Sequence, residues 1–186
     1  WDRFVAQSFD ALAIISSGRY ARPLRKPDIP TGDAQLTAIA ALLDGKLAEQ
    51  ALKNTDALMA ARQADPQALA KVQLFKGLAL IQLGRFKEAE QLFTQVLQTQ
   101  PSNPDALYLQ GVNRDLYLNQ PQPALDSYLA YLAVKADDKP VQKWVNVLQK
   151  QLGQPMTKFN QPAAPAPATT EAEQPAQTPT PVENPS

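Results

Sequence analysis

The chain has 186 residues, and its 18 basic and 18 acidic side chains give a formal net charge of zero, which argues against a general nucleic-acid binder. It contains no cysteine and no histidine, so thiol nucleophiles, Cys/His zinc sites and histidine-based triads are all excluded. Because no base is poised near neutral pH, the composition predicts a protein that is not an enzyme and that needs no cofactor or metal ion.

Residues 1–17 have the apolar spacing of an amphipathic helix, which we expect to end at Gly18. The chain begins with Trp1 instead of methionine, and we therefore expect that an upstream segment has been removed. The helix either packs beside the next helices or forms the water-facing end of a membrane anchor upstream of Trp1, since tryptophan favours the membrane interface. Within the chain itself, no apolar run reaches the roughly 18 residues that span a bilayer.

Residues 18–32 form a linker that contains three prolines, four basic side chains and no hydrophobic period. We expect a charged loop exposed to solvent, which is the usual meaning of a short basic run. The alternative is a contact with anionic lipids beside a membrane anchor. Residues 1–32 are thus predicted to form a separate N-terminal segment, an amphipathic helix and a basic linker, ahead of the helical repeats.

A helix pair is predicted between Asp33 and residue 63, with a turn at Gly45. Asp33 is a suitable N-cap because its carboxylate can accept a hydrogen bond from the first turn of the helix. Asp65 and Pro66 form a second start signal, in which the aspartate caps the helix and the proline occupies its first turn. The first pair is therefore expected to end before Asp65.

Residues 70–103 contain the most specific pattern of the chain, two helices of about 14 residues each around a tight turn at Gly84. The small residues Gly77 and Ala89 would let two backbones approach closely where these helices cross. On the second helix the apolar residues repeat at helical spacing along one face: Phe86, Ala89, Leu92, Phe93, Val96 and Leu97.

This unit resembles the tetratricopeptide repeat (TPR), a helix–turn–helix unit of about 34 residues. Gly77, Ala89 and Phe93 fall on the eighth, twentieth and twenty-fourth positions of the family pattern, and Pro101 falls on the thirty-second. Gln73 departs from the pattern, because a large aromatic residue is usual at the fourth position. The resemblance implies an all-α solenoid of stacked helical hairpins that share one core.

A third unit starts at Asn103, and its Gly111 follows Gly77 by the length of one repeat. The next small residue, Ala124, comes one place late. We therefore expect the turn at residues 119–123 to be one residue longer than in the family.

A last amphipathic helix is predicted to start after Asp138 and to cover residues 139–152, where it would cap the solenoid with one apolar face and one face exposed to water. The apolar face holds Val141, Trp144, Val145, Leu148 and Leu152. The wet face holds Lys143, Gln149 and Lys150.

Residues 157–186 are rich in proline, alanine and threonine, and we expect them to be disordered with polyproline II bias. This tail is a passive spacer or, alternatively, a proline-rich ligand. The predicted boundaries are thus 1–32 for the N-terminal helix and linker, 33–156 for about three TPR-like repeats with their capping helix, and 157–186 for the tail.

The resemblance implies a concave groove lined by the first helix of each repeat. Carried onto this sequence, the groove positions give the predicted partner-binding residues: Ile39, Leu43, Lys71, Leu74, Leu78, Ile81, Tyr108, Val112, Asp115 and Leu116. This surface is apolar with polar edges and would suit an amphipathic helix or an apolar extended chain from a protein or peptide partner. A chaperone-tail clamp known in the family is rejected, because Phe75, Leu109 and Val112 stand where it needs polar groups.

We expect a non-catalytic interaction scaffold or adaptor that acts in the assembly of an envelope complex. The alternative is a dedicated chaperone or assembly factor for an exported or pilus-type substrate. The composition of the helices and tail is typical of the bacterial periplasm or cell envelope, with a cytoplasmic location as the alternative. The N-terminal helix or a homodimer partner would be two other ways to cover the groove. Leu78→Glu or Tyr108→Glu is expected to abolish partner capture with only a slight change in melting temperature.

Overall fold

The computed structural model describes residues 22–159, and all regular secondary structure in this range is helical, as predicted. The helices are α1 (Ala34–Asp44), α2 (Ala48–Ala61), α3 (Pro66–Gln82), α4 (Phe86–Thr99), α5 (Pro104–Val112), α6 (Pro121–Val134) and α7 (Lys139–Gln151). A π-helical segment, Asn113–Tyr117, continues α5. The predicted helix at residues 1–17 and the tail from residue 160 onward lie outside the described residues. None of the described helices is both long and apolar enough to cross a membrane.

Side-chain caps mark where the odd-numbered helices begin. In each case a carboxylate or amide oxygen accepts a hydrogen bond from a backbone N–H of the first turn, at 3.0–3.3 Å. The predicted start signals are confirmed: Asp33 caps α1, Asp65 caps α3, Asn103 caps α5 and Asp138 caps α7. Gly84 lies in the left-handed region at φ +75° and makes the short turn between α3 and α4. These signals divide the chain into the hairpins α1–α2, α3–α4 and α5–α6, followed by α7.

In the second and third hairpins a glycine lies directly against an aromatic ring. A Cβ atom added at Gly77 would be 2.3 Å from Cε1 of Phe93, and one added at Gly111 would be 2.6 Å from Cε1 of Tyr128. Both rings are fully buried. Tight packing at Gly77 is confirmed, but its nearest neighbours are atoms of the Phe93 ring instead of the predicted second backbone. These contacts fix α3 against α4 and α5 against α6, and each helix also packs on the next along the chain.

The extra residue of the third hairpin lies inside its first helix. The interval between the glycine and its ring is one residue longer from Gly111 to Tyr128 than from Gly77 to Phe93. The helix absorbs this residue by widening into the π-helical segment Asn113–Tyr117. Because α6 already begins at Pro121, the predicted longer turn at residues 119–123 is wrong.

The C-terminal helix α7 buries the predicted apolar residues Val141, Trp144, Val145 and Leu148. The wet-face assignment of Gln149 is wrong, because the chain after α7 folds back over this side chain. Nε2 of Gln149 donates to the Thr157 hydroxyl at 2.7 Å, and the Thr157 N–H donates to Oε1 of Gln149 at 2.8 Å. Phe159 also packs against the hydrophobic core, so the first residues of the predicted tail lie on the folded body.

Candidate functional site

Residues 22–30 contain no helix, strand or turn, yet they pack against the helices instead of extending into solvent. Arg22 and Pro27 are buried, and Leu24 and Ile29 are half-buried against the hydrophobic core. The prediction of a solvent-exposed loop is therefore wrong for this part of the linker. We call residues 22–30 the strap.

Arg22 forms an ion pair with Asp115 of the π-helical segment, and neither side chain is exposed to solvent. The guanidinium carbon lies 5.7 Å from the ring centre of Tyr128 and 5.5 Å from that of Trp144. Aromatic faces attract a cation at these distances. Because a buried charge is costly without its partner, Arg22 and Asp115 each depend on the other.

Arg25 occupies a second, shallower position. Its guanidinium pairs with Asp138 and lies 4.4 Å from the ring centre of Tyr108. Nη1 of Arg25 donates to the Tyr131 hydroxyl at 3.3 Å, and that hydroxyl donates to Asp138 at 2.8 Å. The Arg25 side chain keeps 39% of its surface exposed, so this second position is open to solvent at its outer edge.

The carboxylate that faces Arg25 at the second position is ionised at neutral pH. Burial alone would raise the pKa of Asp138, but hydrogen bonds from Arg25 and Tyr131 outweigh it and hold that pKa below its ordinary value. Burial, together with the bond to Asp138, raises the pKa of Tyr131 to about 12. Asp138 is therefore a carboxylate, and Tyr131 is a neutral hydrogen-bond donor. The hydrogen bond to Asp138 also raises the pKa of Arg25, which stays charged.

Two further contacts hold the strap along its length. The Tyr108 hydroxyl donates to the carbonyl of Pro23 at 2.8 Å, and Nζ of Lys26 lies 2.5 Å from a carboxylate oxygen of Asp44 at the end of α1. The strap thus runs from the neighbourhood of α7 to α1. We call the side chains that face its two arginines the arginine site: Tyr108, Asp115, Tyr128, Tyr131, Asp138 and Trp144.

The aromatic residues of the arginine site form one packed cluster. The ring centre of Tyr108 is 5.5 Å from that of Tyr131 and 6.0 Å from that of Trp144, which in turn lies 5.8 Å from Tyr128. Such spacings are favourable for aromatic pairs. Gly111 also lies directly against the Tyr128 ring. The aromatic rings that face the two arginines are therefore held in place by their packing against one another.

A polar network behind the first arginine position connects the π-helical segment to α4 and α6. Nδ2 of Asn113 donates to the carbonyl of Phe86 at 3.0 Å. Arg114 pairs with Glu90 at 2.7 Å and donates to the Ser127 hydroxyl at 2.9 Å. Buried polar groups need such partners, and these bonds hold the widened turn in place.

The predicted partner-binding strip does not lie open. Eight of its ten residues are buried: Ile39, Leu43, Leu74, Leu78, Ile81, Tyr108, Val112 and Asp115. Tyr108 and Asp115 come together in the arginine site, and the other six belong to the helical core. Lys71 is half-buried and pairs with Asp105 at 3.4 Å, and Leu116 is half-buried against the core.

A role of these ten residues in partner binding stays a prediction. Burial does change what the two proposed substitutions would do. A glutamate in place of Leu78 or Tyr108 would enter a position with 3% or 2% exposure. An unpaired carboxylate there would destabilise the fold, so the expected slight change in melting does not agree with the structure.

Sequence reasoning missed that six further residues come together at this site: Arg22, Arg25, Tyr128, Tyr131, Asp138 and Trp144. It predicts Asp138 as the start of α7 and Trp144 as a core residue, and both assignments are correct but incomplete. The signal available in the sequence is the three-residue spacing of Arg22 and Arg25 on either side of Pro23, together with the concentration of aromatic residues from 108 to 144.

No protein-family model, curated protein or solved structure matches the chain. Between residues 22 and 159 no group of three or more acidic side chains is arranged to hold a metal ion. The chemistry that the arginine site does offer is two carboxylates beside aromatic rings, an environment that suits guanidinium groups.

Proposed function

We propose that the chain is a non-catalytic scaffold for protein–protein interaction, built from TPR-like helical hairpins, which binds a segment of a partner protein on the face where the strap lies. The observation that carries the proposal is the strap itself, a stretch of irregular polypeptide seated among side chains of α5, α6 and α7. A surface that accommodates one such chain has the shape and the polar groups to accommodate another.

The TPR-like part of the proposal is supported by the similarity of the hairpins α3–α4 and α5–α6. Each hairpin packs a glycine on an aromatic ring, and the separation of Gly77 and Gly111 equals the length of one TPR unit. A location in the bacterial envelope, and a role in assembly there, are supported by composition alone and belong to the same proposal.

Photo-crosslinking of the full chain in its native source tests the scaffold role. A photoreactive residue replaces Lys71 or Leu116, the two residues of the predicted strip that keep exposed surface. Gln98, which is exposed on α4, receives the same residue as a matched control. We expect one partner to be crosslinked from positions 71 and 116 and not from position 98. No adduct at either position, or equal adducts at all three, would contradict the proposal.

A further inference from the structure

We infer that the arginine site is a receptor for an extended peptide segment with two arginines three residues apart, and that Arg22 and Arg25 occupy it from within the same chain. The inference rests on the proposed scaffold function, because it names the chemistry of the partner segment that would bind there. A partner segment would take the place of the strap.

The two positions of the site match two guanidinium groups in charge and in shape. Asp115 and Asp138 supply one carboxylate each, and aromatic rings lie beside both cations. A planar guanidinium can stack on a ring while it pairs with a carboxylate, whereas the compact ammonium group of lysine is more strongly hydrated and lacks this geometry. In the strap the two arginines take these positions, and Lys26 pairs with Asp44 outside the site.

The strap is attached to the fold chiefly through side chains. Among the described residues, no backbone–backbone hydrogen bond joins residues 23–29 to a helix. The connection to α1 passes through Gly32, which has φ +84° and no non-neighbouring atom within 4 Å of an ideal Cβ position. The strap can therefore leave the site by rotation at this exposed turn while the helices stay packed.

The strap competes with a partner segment at an advantage, because the strap is part of the same chain as the site and the partner segment is not. The three prolines Pro23, Pro27 and Pro30 restrict the strap to few backbone conformations, which lowers the entropy cost of seating it. A segment joined to its site by a short linker also acts at an effective concentration on the order of millimolar. The strap should therefore weaken the apparent affinity of a partner, and loss of its arginines should restore that affinity.

The test measures binding of a fluorescent peptide with the sequence of residues 19–30 to the full 186-residue chain by anisotropy. We expect the variant Arg22→Ala/Arg25→Ala to bind the peptide at least about tenfold more tightly than the unsubstituted chain, since its site is vacant. The same peptide with alanine in place of Arg22 and Arg25, and with Arg19 kept, should bind at least about tenfold more weakly to this variant. Equal affinity of the two chains for the peptide, or of the two peptides for the variant, would overturn the inference.

Two further variants keep the test decisive. Arg85→Ala removes an exposed arginine that pairs with Glu88 on α4, and it should bind the peptide like the unsubstituted chain. If the double variant does not fold, as judged by circular dichroism, Arg25→Ala alone replaces it, because that guanidinium is partly exposed. For this single variant we expect a smaller gain in affinity, about threefold, because the strap is held less firmly while Arg22 stays paired with Asp115. No gain would overturn the inference.

The two proposals can fail separately. If the peptide does not bind while positions 71 and 116 still crosslink a partner, the arginine receptor is wrong and the scaffold role stands. If the peptide binds with the expected arginine dependence and no partner is crosslinked, the site recognises arginine segments but the scaffold role is wrong.

Discussion

The hairpins α3–α4 and α5–α6 share one packing device but differ where their first helices end. Both place a glycine against a buried ring. In α3, residues 79–81 are Ala-Leu-Ile, and all three are buried in the apolar core. One repeat length later, at 113–115, the sequence is Asn-Arg-Asp, and these side chains enter the polar network and the arginine site.

This difference shows how a packing unit becomes a candidate binding unit without loss of its core. The glycine–ring contact is kept, while one extra residue widens the end of the helix into a π-helical segment. Widened turns of this kind are frequent at functional sites. Here the turn carries Asp115 to a buried position beside Arg22, where the apolar hairpin has Ile81. If the two positions differ in this way, they should respond differently to the same substitution.

The largest effect is expected from Ile81→Asp, which places the carboxylate of the third hairpin at the matching position of the second. No strap arginine pairs with this position, and Ile81 has only 4% exposure. We expect the free energy of unfolding to fall by about 3–5 kcal/mol, the cost typical of a buried charge without a partner. Urea denaturation at pH 7 measures the change.

Ile81→Val is the matched control, because it shortens the same side chain without adding charge. It should cost about 0.5–1.5 kcal/mol. If Ile81→Asp costs no more than Ile81→Val, position 81 is hydrated and the contrast between the two hairpins is not real.

An intermediate effect is expected from Gly77→Ala and Gly111→Ala. The new methyl groups would lie 2.3 Å and 2.6 Å from ring carbons of Phe93 and Tyr128, which are fully buried and must shift. Each substitution should lower the free energy of unfolding by about 1–3 kcal/mol, even though alanine favours a helix. The change is measured by the denaturation midpoint.

A double-mutant cycle sharpens this prediction. Phe93→Leu removes the ring, so it should recover part of the stability lost in Gly77→Ala. If the free energy of unfolding fell in only one of the two glycine variants, the two hairpins would not be packed alike.

The smallest effect concerns Arg25→Ala and pH. The pKa of Asp138 is lowered in the folded state, so its pairing contributes stability above the ordinary aspartate pKa, near 3.9, and that stability is lost as pH falls through the folded value. Because Arg25 is partly exposed, we expect the variant to lose about 1 kcal/mol or less at pH 7. The difference from the unsubstituted chain should shrink below pH 4. A difference that is the same at pH 7 and pH 3 would show that the carboxylate does not contribute.

The sequence predicts the hairpins because their signals are local. Each cap, such as Asp65, lies within three residues of the amides it bonds, and Gly84 needs only its own left-handed backbone. The arginine site depends on contacts over long separations: Arg22 pairs with Asp115, and Arg25 with Asp138. Local periodicity carries no information about which distant carboxylate a linker arginine will meet, so the same pattern predicts a solvated loop.

The central claim is that the strap occupies a binding site through its two arginines. It is tested most directly by cutting the connection at the exposed turn of Thr31 and Gly32, after a protease site has been placed there in the full chain. We predict that the released N-terminal fragment stays with the helical body in gel filtration, and that it separates when Arg22 and Arg25 are both alanine. The claim would be contradicted if the unsubstituted fragment separated from the body, or if the fragment with alanine at positions 22 and 25 stayed with it.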